Sequence, residues 1–223
     1  MPYYRGRRRY YRGRRRYGRR RMARAASPTY GQIFSKVVKD VGYLKGLVNS
    51  EFKVHNTSNN INALDTGTVR QLTTISQGDD YSQRDGRQVR IKSLALSGQV
   101  DWNSSATNPQ TVRVIIFGAK NIDGTLPSLT DVLSSVDVKS FRSLAHRRNY
   151  FILKDMRFVV SDQAPTKYFK WYKKLDMKSV YNVTTSGIAS CESNHVFMAV
   201  ISDQSTSNYP TVDIDSRIRF LDN

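Results

Sequence analysis

From residue 51 onward, apolar and polar positions alternate with a period of two, the signature of strands with one face buried. The pattern predicts strands over 51–57 (EFKVHNT), 68–76 (TVRQLTTIS), 87–102, 111–119, 149–161, 167–178, 194–203 and 212–221. The last is the most regular. Val212, Ile214, Ile218 and Phe220 share one face, and Asp213, Asp215, Arg217 and Arg219 share the other. Those opposite charges suit either salt links across a symmetric assembly or a solvated face. In RQVRIKSLALSGQVDW (87–102) the apolar parity changes: Val89 and Ile91 are odd, whereas Leu94, Leu96, Val100 and Trp102 are even. A straight strand keeps one parity, so a bulge or bend is predicted near Lys92–Ser93. TVRVIIFGA (111–119) is almost continuously apolar, as a central strand covered on both faces would be. A long excursion follows over 120–148, with a short helix predicted across Pro127–Leu133.

Ahead of the strands the period changes. In TYGQIFSKVVKDVGYLKGLVNS (29–50), Ile33, Val37, Val41, Leu44 and Val48 recur at three and four residues, predicting a helix over about 30–45. Thr29 and Gln32 have capping-box spacing, and Gly42 and Gly46 weaken the far end. Such a helix either packs under the β domain or lies on its surface. No helix-period pattern separates the strands, which argues against a parallel α/β sheet. The fold expected is all-β: a single eight-stranded antiparallel sandwich of two sheets, of the kind that includes the jelly roll.

Charge changes the picture most at the start. The chain has 223 residues and a net charge of +18, with 36 Lys and Arg against 18 Asp and Glu. Residues 1–24 hold Arg5, Arg7, Arg8, Arg9, Arg12, Arg14, Arg15, Arg16, Arg19, Arg20, Arg21 and Arg24, and no acid. The remainder is only mildly basic. The motif YYRGRRR occurs twice in succession (3–9 and 10–16), followed by a clipped copy, YGRRR. Arginine keeps its proton at any working pH, and its fork matches phosphate oxygens. Tyr3, Tyr4, Tyr10, Tyr11 and Tyr17 add rings that can stack on unpaired bases. Gly6, Gly13 and Gly18 and the self-repulsion of like charge oppose a helix. The stretch has no apolar face for a membrane, and no run in the chain approaches the roughly 18 apolar residues of a span. These features predict a disordered arm over 1–26 that binds single-stranded nucleic acid without reading its sequence, and that also suits a nuclear localisation signal. A linker with the short helix (27–50) and the β domain (51–223) complete the organisation.

Catalytic motifs are absent. His55, His146 and His195 have no metal-ligand spacing, and no G-x-S-x-G, P-loop or dinucleotide fingerprint occurs. Asp79–Asp80 reads as a solvated pair with a weaker alternative as a calcium ligand. Cys191, the single cysteine, reads as an inert packer, and His195 as a satisfied edge residue. No cofactor, metal or enzyme activity is expected. One patch outside the arm stands out. In KYFKWYKK (167–174), Phe169, Trp171 and Leu175 fall on one face, while Tyr168, Lys170, Tyr172 and Lys174 fall on the other. The Tyr/Lys face suits either stacking and phosphate contact at an inner surface or an interface with another subunit, the latter favoured.

With these residues in view, the chain resembles known viral proteins. MPYYRGRRRYYRGRRRYGRRR resembles the arginine-rich arm of circovirus-like capsids of small circular single-stranded DNA viruses. QGDDYSQRDGRQVRIKSLALSGQV (77–100) is similar to the strand-entry region of satellite-necrosis-virus-like capsids, through Gln77–Gly78, Arg84, Gly86 and Val89 or Ile91. The resemblance implies one jelly roll with strands lettered B to I, and a homo-oligomeric T=1 icosahedral shell of sixty subunits with the arm inside on the genome. It implies a virion protein, with assembly in the host nucleus and host nuclear import receptors as partners. The two likenesses differ on the genome, because satellite necrosis viruses package RNA; the Arg/Tyr arm favours DNA. Sixty arms would bring about 720 arginines inward, matching a genome on the order of a thousand nucleotides. The rivals are a cellular nucleic-acid-binding module with a basic tail and an enzyme on a β sandwich.

Overall fold

The computed structural model describes residues 30–48, 52–122, 124–205 and 207–222. The arm, and the capping pair's Thr29, lie outside the described residues. The chain divides into two compact units, residues 1–44 and 45–223. Helix α1 spans Tyr30–Val48, a turn longer than predicted.

The second unit contains eight strands: β1 (Phe52–Asn62), β2 (Thr68–Gln71), β3 (Gln88–Asp101), β4 (Gln110–Asn121), β5 (Tyr150–Val160), β6 (Thr166–Tyr181), β7 (Cys191–Ser202) and β8 (Thr211–Asp222). Every pairing is antiparallel. Two four-stranded arrays result, β1-β8-β3-β6 and β2-β7-β4-β5. A short ladder, Val180 with Ser193 and Tyr181 with Cys191, joins them. In the lettering B to I these are the B-I-D-G and C-H-E-F sheets, the order of a jelly roll.

Strand parity builds the core between the sheets. β8 buries Val212, Ile214, Ile218 and Phe220, as the alternation predicts. They meet Val89, Ile91, Leu94, Leu96 and Val100 of β3, and Val112, Val114 and Ile116 of β4. The parity change in β3 is a bulge: the register shifts between Ile91 and Ser93 against both neighbours, so both apolar runs point inward. Phe158 of β5 stacks on Phe169 of β6 across the sandwich, with centroids 5.1 Å apart. Gly98 makes room for that pair, since a Cβ there would lie 2.8 Å from Phe169 Cζ and 2.5 Å from the Asp213 carbonyl oxygen.

β4 is covered on both faces, as its continuous apolar run requires. Ile115, Phe117 and Ala119 point away from the sandwich into a second cluster with Phe197, Ala199 and Ile201 of β7. The excursion supplies the lid for this cluster: Leu129, Val132, Leu133 and Val138. Its helix, α2, is Leu129–Val132, shorter than the predicted Pro127–Leu133, and opens on a Ser128/Asp131 capping box. Arg113 of β4 anchors the lid. Its guanidinium forks onto Asp155 at 2.7 and 3.0 Å and donates to the carbonyls of Val138 (3.0 Å) and Ser140 (2.7 Å).

Two strand ends depart most from the sequence expectation, while β6 runs on to Tyr181 and β7 begins early at Cys191. β1 continues from 57 to Asn62, because β8 pairs with it throughout despite its poor strand formers, NTSNNIN. β2 stops at Gln71, because residues 72–76 turn into the sandwich end described next.

Candidate nucleic-acid interface

The resemblance motif resolves into a scaffold. Arg84 is fully buried, and no carboxylate pairs with it among the described residues. Its guanidinium donates to the carbonyls of Ile75 (3.1 Å), Gly86 (2.6 Å) and Val183, and lies 4.3 Å from the centroid of the Tyr181 ring. Gln77 Nε2 donates to the Asp85 carbonyl at 2.8 Å, and Gly78 N–H to the Arg84 carbonyl at 2.9 Å. The motif thus ties the loop before β3 to the end of β6. Beside it, Tyr181 meets His195 edge-on at 4.6 Å. His195 is fully buried, not at an edge, and its ring nitrogens are both engaged, with Thr73 Oγ1 at 3.0 Å and the Val180 carbonyl at 2.8 Å.

Burial lowers the His195 pKa to about 4, with Arg84 adding to the effect against the raising hydrogen bond that the ring donates to the Val180 carbonyl. An unfolded histidine titrates near 6.5, so between these values the unfolded chain holds the extra proton. Stability therefore falls as pH drops from 6.5 to 4, by about 3 kcal/mol from this group. Urea unfolding of wild type and His195→Gln at pH 7 and pH 4 checks it: the wild type should lose that much more than the variant, and equal losses would exclude His195 as the origin.

Cys191 is buried, its Sγ accepts from Gln71 Nε2 at 2.9 Å, and burial raises its pKa to about 11. It is a packed thiol, and among the described residues no base bonds it. Asp80 Oδ1 accepts the Tyr81 N–H at 2.8 Å, and no group of three metal-ligating side chains gathers among the described residues. His146 is exposed.

The outward face of β1-β8-β3-β6 gathers the other candidates. Tyr168, Lys170, Tyr172 and Lys174 all lie on it, at the β6 edge. Register sets them in rows: Tyr168 with Gln99, Asp213 and Asn60; Lys170 with Ser97, Asp215 and Ser58; Tyr172 with Ala95, Arg217 and Asn56. Lys174 lies beyond, toward Arg219. Tyr168 and Tyr172 are 78 % and 58 % exposed. The β8 charges form no ion pairs with one another. Asp213 accepts from Asn60 Nδ2, Arg217 Nε donates to Asn56 Oδ1 at 2.9 Å, and Arg219 lies over the Phe52 ring at 5.3 Å. At the bulge, Asp176 takes up Arg90 (2.5 Å) and Lys92 (2.6 Å), which hold its carboxyl at about 2. Sequence parity separated this face from the core. It could not show that β8 and β3 stand between β1 and β6, which is what brings Asp215, Arg217, Ala95 and Ser97 beside the Tyr/Lys row. The arm residues, Tyr3 to Arg24, lie outside the described residues.

Comparison with known proteins connects this architecture to viruses. The coat protein of Maize white line mosaic satellite virus is 36% identical over 88 residues, 39% of this chain and 40% of that protein. The chain therefore spans less than half of that relative. The capsid protein of Satellite tobacco necrosis virus 1 is 32% identical over 149 residues, covering 66% of this chain and 74% of the relative. The coat protein of Satellite tobacco necrosis virus 2 is 28% identical over 170 residues, 73% and 82% of the two chains. The circovirus likeness drawn from the arm gains no support from these matches. The family model, satellite tobacco necrosis virus coat protein, matches residues 25–223, beginning just after Arg24. With nearly the whole chain matched, including all eight strands, the protein belongs to the satellite tobacco necrosis virus coat protein family, a family of viral capsid proteins.

Proposed function

We propose that this chain is the coat protein of a small virus, that sixty copies close into a T=1 icosahedral shell, and that the arginine arm binds the packaged single strand. One observation carries the reading: an acid-free arm with twelve arginines in 24 residues precedes a jelly roll of a coat protein family. Arginine density of this kind neutralises phosphate and releases its counterions, without any base code. The protein's partners are then its own copies and a single-stranded genome, and its place is the virion. Passage through the host nucleus and recognition by import receptors rest on the arm's arginines alone.

DNA rested on the arm's composition, whereas RNA comes with the satellite-virus likeness. RNA takes precedence because the likeness extends over the matched sequence. The test is to extract nucleic acid from purified particles and digest it. Loss to RNase with resistance to DNase supports the reading; the reverse restores DNA; absence of particles overturns the coat role in favour of a cellular binding module. Binding should also be steeply salt-dependent. If all twelve arm arginines meet single-strand phosphates, log K against log salt should fall with a slope of about −8. A slope shallower than about −3 would remove the arm from its assigned role.

A further inference from the structure

The outward face of β1-β8-β3-β6 carries a groove of about 790 Å³, and its floor and corners differ in kind. The floor is β3, where the outward side chains are small, Ala95 and Ser97. Four larger side chains stand around it: Asp215 and Arg217 on β8, and Lys170 and Tyr172 on β6. Strand spacing sets the separations. β8 and β6 are two strands apart, about 9.5 Å, and successive outward rows are about 6.8 Å apart. That is the footprint of one nucleobase with its sugar and phosphate.

The corners are unspent. Lys170, Tyr172 and Asp215 have no side-chain hydrogen bond or ion pair among the described residues. Arg217 uses Nε on Asn56 Oδ1, which fixes the guanidinium and leaves its terminal nitrogens to other partners. Burying such a face against another protein would leave Asp215, Lys170 and Arg217 to be matched one by one. A nucleotide meets all of them. Its ring stacks on Tyr172 over the Ala95 floor, and its phosphates lie toward Lys170 and Arg217. Asp215 is the odd corner, because a carboxylate opposes a polyanion unless it accepts hydrogen bonds from the base. Guanine alone of the common bases offers two adjacent N–H groups, N1 and N2, to one carboxylate.

We propose that this groove binds one unstacked nucleotide of the packaged strand, with guanine preferred through Asp215. The inference rests on the coat-protein reading above, and adds to the arm's indifferent grip a site on the folded domain that reads a base.

The test is ultraviolet crosslinking of filled particles of the full chain, with mass spectrometry of the nucleotide adducts. Adducts are expected on the arm tyrosines without base preference, and on Tyr172 with guanine enriched at least threefold. Asp215→Asn should keep the Tyr172 adduct and abolish the enrichment. Arm adducts with none on β6 would overturn the groove site and leave the coat reading standing. Filled particles with no adduct on arm or β6 would overturn the groove site and the arm's assigned role together. Tyr172 adducts without base preference in wild type would overturn the part given to Asp215. If Asp215→Asn remains folded but no longer forms particles, the face is a contact between copies and the proposal fails.

Discussion

Removing residues 2–24 will leave the sandwich folded and the particles empty. The deletion removes all twelve arm arginines and no acid, so the charge of each subunit falls by twelve. What remains carries 24 basic and 18 acidic residues, a balance of only +6. Several of those basic residues are held within the domain by ion pairs: Lys53 with Asp85 and Asp222, Arg90 and Lys92 with Asp176, Arg113 with Asp155. Each lost phosphate contact weakens single-strand binding multiplicatively, so nuclease-protected nucleic acid per particle should fall by at least about tenfold. The cores lose nothing, because every residue of both buried clusters lies beyond position 60. Absorbance ratios of purified particles and the urea midpoint of the dissociated subunit read the two effects separately. A shell that stays filled would refute the role given to the arm. An arm of the same residues in scrambled order should package normally, since charge and stacking groups are what count.

The second large effect concerns Arg84. Replacing it with methionine should cost about 4–5 kcal/mol, at the far end of what single substitutions do. The side chain is fully buried and donates to three carbonyl groups, of Ile75, Gly86 and Val183. Methionine fills much of the volume and satisfies none of them; the carbonyl of buried Ile75 loses its partner outright, at about 1–3 kcal/mol, and those of half-buried Gly86 and exposed Val183 lose theirs at a smaller cost. The contact with the Tyr181 ring goes as well. Against a whole-domain stability of about 5–15 kcal/mol, the variant stands at the edge of unfolding. Arg84→Lys should recover part of the loss, since an ammonium keeps the charge but cannot span three acceptors in a plane. Urea denaturation of the dissociated subunit measures all three proteins. A loss below about 1 kcal/mol for the methionine variant would mean that water satisfies those carbonyls and that Arg84 is no clamp.

Period-two alternation located most strands, a continuous apolar run located β4, and the parity change in 87–102 located the bulge, because burial is written in the spacing of apolar residues. Strand ends followed a different rule. β1 runs on through Asn56–Asn62 because β8 supplies a partner, not because those residues favour strands. The order β1-β8-β3-β6 is set by contacts between residues up to 169 positions apart, and no local pattern encodes it. For the same reason Tyr172 and Lys170 were visible as an outward row, while Asp215 and Arg217 were assigned to a separate patch. Arg84 was legible as part of a motif but not as a buried group, since arginine is the last residue that periodicity would place in a core.

The place of β8 bears on when this protein can fold. It lies between β1 and β3, hydrogen-bonded to both, yet it is the last strand to be synthesised. Until residues 211–222 leave the ribosome, β1 has no neighbour in its sheet and β3 lacks one side of its ladder. The arm, by contrast, precedes every strand in the chain. If the arm binds the strand as proposed, a nascent chain can do so before residues 211–222 complete the domain. On that reading, strand binding and subunit folding are separated in time by the stretch between the arm and β8, and a chain broken off before residue 211 would keep the first without the second.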